Sequence, residues 1–218
     1  MALTKFNYNS FDVTPAASKA LGFNSDADGL TTIGSSAMVL IKTVTASSDS
    51  TIDFVDGTDD VVLDNTYPNY LIKVINAHPG TDDVAFQFQA NAAGGSGFNE
   101  TMTTTTFKSY HNEGDSLNVL SYVTAGDQAQ GTSYQGISSV ENDNQESCSG
   151  ELWLFNPSST TYVKHFMARF QDIHSAVSMD TFTAGYFNTT SAIDEISFKC
   201  ASGNIDSGTF KLYGIKDS

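Results

Sequence analysis

Large apolar and polar side chains alternate with a period of two along residues 84–90, where Val84, Phe86 and Phe88 fall on one side and Ala85, Gln87 and Gln89 on the other. That period belongs to a half-buried β-strand, because successive side chains of an extended chain point to opposite faces. The pattern recurs in residues 192–201, with Ile196, Phe198 and Cys200 against Glu195, Ser197 and Lys199. It recurs again in residues 209–215, with Phe210 and Leu212 against Lys211 and Tyr213, and in residues 51–55, with Ile52 and Phe54 against Asp53. Residues 70–77, 101–111, 117–123, 134–140 and 183–187 read as further strands. Residues 37–46 are apolar on both faces in their first half, which predicts a central strand. Residues 91–97 read as a glycine-rich loop, and residues 173–180 as a loop.

The chain is organised around residues 148–170. Two aromatic and β-branched runs flank the polar patch 156–160, where Pro157 fixes φ and Asn156 can bond its own backbone. This predicts a central β-hairpin. It carries the sole tryptophan, Trp153, with Leu152, Leu154, Phe155, Phe166, Met167 and Phe170, and the indole is expected in the core.

About ten short strands separated by turn chemistry, with no fixed repeat, predict an all-β fold: an antiparallel, jelly-roll-like β-sandwich. Residues 36–218 form this domain. Residues 1–35 lack a sustained period apart from one short helical turn after Pro15, and read as an extended N-terminal arm. Its aromatics Phe6, Tyr8, Phe11 and Phe23 are expected to fill pockets on a neighbouring subunit or partner, since free aromatics on an arm are a liability.

Composition narrows the function classes. Only 16% of the 218 residues are charged, and Ser, Thr, Asn and Gly supply the polarity, which favours strands and turns over helices. The net charge is −15, from 25 acids against 10 bases. With no basic cluster to displace phosphate counterions, nucleic-acid binding is not expected, and anionic membrane surfaces are disfavoured. The opening residues lack the apolar core of a secretory signal, and no apolar run approaches membrane-spanning length, so neither export nor membrane insertion is expected. Cys148 and Cys200 both fall on predicted strands. A disulfide and two buried thiols are both open, with the thiols favoured in a reducing compartment.

Candidate chemistry is sparse. Asn24, Asp26, Asp28 and Gly29 resemble the front half of a calcium loop, but Ser35 stands where the closing bidentate carboxylate belongs, so the segment reads as a polar turn. His78, His111, His165 and His174 share no metal-ligand spacing. Nucleophile elbows, zinc-protease helices and nucleotide loops are missing from the sequence. The expectation is a chain that is not an enzyme and uses no cofactor or metal. Among polar loops, His111, Tyr134 and Asn142 are candidates for contact with a glycan, and a carbohydrate-binding module or glycan hydrolase on a sandwich scaffold is the alternative class.

The segment IDEISFKCASGNIDSGTFKLYGIK (193–216) resembles the closing strands of small virion structural proteins of tailed, especially marine, bacteriophages, in particular its strand SGTFKLYGIK. The opening MALTKFNYNSFDVTPAASKALGFNSDADG and the segments LWLFNPSSTTYVKHFMARF and AGYFNTTSAIDEISFK are similar to the same group. The resemblance implies a tail-fibre, head-fibre or capsid-decoration role in the virion, after assembly in the host cytoplasm. It also implies contacts with other virion proteins, homo-oligomerisation with trimers favoured, and a host surface glycan as a further contact. The arm-plus-domain layout favours a tail-associated fibre or adaptor. No functional residue is carried over.

Overall fold

The computed structural model describes residues 37–217 and two short strands before them, β1 (Ala20–Phe23) and β2 (Leu30–Ile33), which pair with each other. The remaining strands are β3 (Met38–Asp49), β4 (Ile52–Val55), β5 (Asn69–Pro79), β6 (Val84–Ala92), β7 (Met102–Asn112), β8 (Asn118–Tyr122), β9 (Ala129–Gly131), β10 (Gln135–Val140), β11 (Cys148–Phe155), β12 (Lys164–His174), β13 (Val177–Phe187), β14 (Ile193–Cys200) and β15 (Ile205–Ile215). They form an antiparallel β-sandwich. One sheet has the order β10-β6-β14-β4, and the nine-stranded sheet runs β3-β15-β5-β11-β12-β13-β7-β8, with β9 also on β7. The chain shuttles between the sheets, from β3 to β4, β5, β6 and β7 in turn, in the jelly-roll manner.

The alternation seen in the sequence places the core. Phe86 and Phe88 on β6 and Ile196 and Phe198 on β14 meet Ile72, Leu152, Leu154, Phe166, Phe170 and Phe210 from the large sheet, all at 0–1% exposure. Phe86 stacks on Phe198 at 5.9 Å between centroids, and Phe88 meets Phe166 edge-on at 5.1 Å. Offset and edge-to-face pairs of this kind add to the area they bury. Within the large sheet the Phe170 ring lies over Gly150, its cross-strand partner: a Cβ there would sit 2.6 Å from the ring.

The β11–β12 hairpin is central as expected, with Cys148↔Asp172 through Phe155↔His165 in register and strands on both sides. Three expectations are corrected. Trp153 lies half-buried on the outer face of the large sheet, outside the core, because it shares that face with Met167 opposite it on β12. The strand at 37–46 is an edge strand, β3, paired with β15 alone in the sheet order. Residues 173–180 are not a loop: β12 and β13 run on to a two-residue turn at Ser175 and Ala176, whose φ values of 49° and 63° match the primed turns that suit hairpin twist. The cysteines are in the state favoured from the sequence: Cys148 and Cys200 are buried free thiols, and burial raises both thiol pKa values, Cys200 to about 11. Phe6, Tyr8, Phe11, the Phe23 side chain and the calcium-like turn at 24–29 lie outside the described residues.

Candidate interaction surfaces

The two sheets differ on the sides that face away from the core. Outward side chains of the large sheet line up across the strands in rows. One row runs Leu40, Tyr213, Leu71, Trp153, Met167 and Ala184. The next runs Lys211, Lys73, Glu151, Arg169, Phe182 and Phe107. Leu71 is only 2% exposed although it points outward, and its cross-strand partners are Tyr213 and Trp153. Phe182 stacks on Phe107 at 4.8 Å, and the Arg169 guanidinium lies 4.8 Å over Phe182 while forming a bidentate bridge to Asp180. Trp153 Nε1 donates to Glu151 Oε1 at 3.2 Å. Among the described residues nine large apolar side chains stand exposed, and seven of them (Met38, Leu40, Ile75, Phe107, Leu120, Tyr122 and Met167) are on this face; the other two, Leu117 and Tyr162, sit in loops.

The outward side of the small sheet is roofed by the chain's own loops. Gln89 on β6 is fully buried there, and its Nε2 donates to the carbonyls of Glu100, Thr132 and Ser133 at 3.1–3.2 Å. The Glu100 carboxylate accepts from the Ala92 N–H at 3.0 Å. Tyr134 braces the second loop: its hydroxyl donates to Ser197 at 3.2 Å, and Lys199 Nζ lies 4.3 Å over its ring. Burial raises its pKa, with the Ser197 hydrogen bond opposing.

Where β7 and β13 overhang the edge strand β10, an open cleft of about 650 Å³ forms, lined by Thr106, Lys108, Gln128, Tyr134, Gln135 and Ser138. The Gln135 amide there is spent on the fold, while the Gln128 Oε1 is buried without a hydrogen-bond partner. Gln135 accepts from Thr104 Oγ1 at 2.8 Å and donates to the carbonyls of Gly126 and Gly136, both at 2.8 Å.

Beneath one end of the sandwich lies a group of acids. Asp172 is fully buried and accepts from Ser138 Oγ at 2.6 Å, and burial raises its pKa to about 6, with Ser138 and His174 opposing. Nearby, Glu141 accepts from the Ser175 hydroxyl at 2.8 Å and backbone N–H at 3.0 Å, and lies 3.2 Å from His174 Nε2. Glu146 accepts from the same N–H at 3.2 Å. Ser175 lowers the pKa of Glu141, and burial, with Glu141 beside it, raises that of Glu146. These carboxylates pin a turn made of Ser and Ala where Asn-Gly would be the easier choice. Among the described residues no group of three or more His, Cys, Asp or Glu is arranged to hold a metal ion.

The glycan candidates are not brought together. Tyr134 borders the cleft; His111 is at the far end of β7, 3.1 Å from Asp115, in a separate shallow pocket with Tyr110 and Leu120; exposed Asn142 donates its backbone N–H to Asp82. Sequence reading missed Gln89 and Asp172, since a single buried amide or acid in a strand has no local signature. It also missed Lys164, fully buried with Nζ donating to the carbonyls of Tyr162 and Thr189 at 2.7 and 3.2 Å. Among the described residues no helix is long and apolar enough to cross a membrane. Comparison with protein-family models, curated proteins and solved structures found no match for the chain.

Proposed function

We propose that this chain is a non-catalytic structural protein of a bacteriophage virion, tail-associated as a fibre or adaptor component, with residues 1–35 as its attachment arm and other virion proteins and copies of itself as its partners. The observation that carries this reading is the outer face of the large sheet, broad and rich in exposed aromatic and aliphatic groups, the kind of surface that marks a protein-contact site. The segments that resemble phage virion proteins give the setting. The roofed small sheet and the three hydrogen bonds that tie Gln135 into the cleft wall favour a part that is gripped over one that turns over a ligand.

Gold-labelled antibody to this chain, applied to purified phage particles carrying it, should decorate the tail, and a chain lacking residues 1–35 should fold yet stay off the particle. Label on the capsid would move the role to decoration. Particles free of the chain would overturn the proposal.

A further inference from the structure

The exposed apolar groups, the charge and the size of one face all point to the same occupant. Across that face the outward ionisable residues are Lys73, Arg169 and Lys211 against Glu151 and Asp180, with His165 and His111 at its margins. The face is therefore close to neutral, on a chain whose net charge is −15. Two copies of so acidic a chain repel over most of their surfaces, and they meet at least electrostatic cost here.

Size agrees. From β3 to β7 the sheet is seven strands wide, and at about 4.8 Å between strands and about 6.7 Å between rows the four central rows cover roughly 600 Å². Side-chain relief raises that footprint, so a matched pair would bury on the order of 1,200–1,600 Å², the range of a stable protein–protein interface. The complement is on the same molecule. Outside this face the exposed large apolar side chains among the described residues are Leu117 and Tyr162, each in a loop, so the matching apolar surface on a second copy is this same face.

We infer that two copies of this chain pack face to face through the outer side of the nine-stranded sheet, with Trp153 and Met167 at the centre of a self-complementary contact. The inference rests on the assembly reading above, but its test needs no particle. In such a packing the twisted sheets align within about 30° and their rows interdigitate as in any β-sandwich. Arg169 is already held by Asp180 and Phe182, so it enters the contact ordered and with its charge paired.

The lone tryptophan is a reporter at the middle of the contact. Sedimentation of the full chain over a concentration series should show a monomer–dimer equilibrium, and acrylamide quenching of Trp153 should fall as the dimer forms. Met167→Glu places two carboxylates against each other at the centre and should weaken the dimer at least tenfold. Because Met167 is 56% exposed, its circular dichroism and unfolding midpoint at low concentration should match the parent chain. A monomer at all concentrations, a trimer, or a dimer in which Trp153 quenches as freely as in the monomer would each overturn the inference. A dimer formed in solution by a chain that never enters particles would leave this packing standing and remove the virion reading instead.

Discussion

The outer faces of the two sheets are built from the same period-two pattern and have opposite fates. On the small sheet the outward positions are Gln87, Gln89 and Asn91 on β6 and Glu195, Ser197 and Lys199 on β14, and loops of the same chain close over Gln89 and Ser197. On the large sheet the outward positions include Leu71, Trp153, Phe155, Met167, Phe182 and Tyr213, and nothing among the described residues roofs them. Polar outward residues tie down their own loops, because buried amides need fixed carbonyl partners. Apolar outward residues make no such directional demand and leave a surface that another apolar surface can cover. One sheet completes itself internally; the other is left to be completed by contact.

The largest effect should come from the side the two sheets share. Phe198→Ala removes a ring at 0% exposure that touches Phe86, Phe88 and Phe210, and should cost roughly 3–5 kcal/mol in denaturant unfolding. Next is the pH response of Asp172. An acid whose pKa is higher folded than unfolded holds its proton more tightly in the fold. Its stabilising contribution is therefore complete below about 4 and is lost as pH rises through about 6, a swing of up to about 3 kcal/mol. Glu146 acts in the same direction and Glu141 in the opposite one, so the comparison must be with Asp172→Asn, which should flatten the parent's fall in melting temperature between pH 4 and 7. The third contrast bears directly on the two faces. Gln89→Ala strands buried carbonyls and should cost about 1–3 kcal/mol, whereas Leu40→Ala on the large sheet should change monomer stability by no more than about 0.5 kcal/mol. Equal costs for the two would mean that the outer faces do not differ as described.

How much of this could be read from the sequence follows from the same contrast. β6 and β14 were legible because one face is core and the other polar, so the period survives in the letters. β3 read as central for the wrong reason. Val39, Ile41 and Val44 pack on the core, and Met38 and Leu40 point outward to an apolar exterior, so both sides are apolar without both being buried. Trp153 misled in the same way: hydrophobicity reports a preference for contact and does not say with what. The Ser175–Ala176 turn was hidden because its stabilising partners, Glu141 and Glu146, are about thirty residues earlier in the chain. The roofing role of Gln89 depends on loops near residues 100 and 133 that only the folded chain brings together.

The pairing of β3 with β15 joins residues 38–49 to residues 205–215, the first and last long strands described. A ribosome feeding out this chain must release the more than 150 residues between them before β3 finds its neighbour. Until then Met38 and Leu40 wait without their sheet, during the slow closure that distant pairings require. Nascent copies on one message would thus carry the same unsatisfied ribbon side by side, and crowding during synthesis is a hazard this topology creates for its own yield.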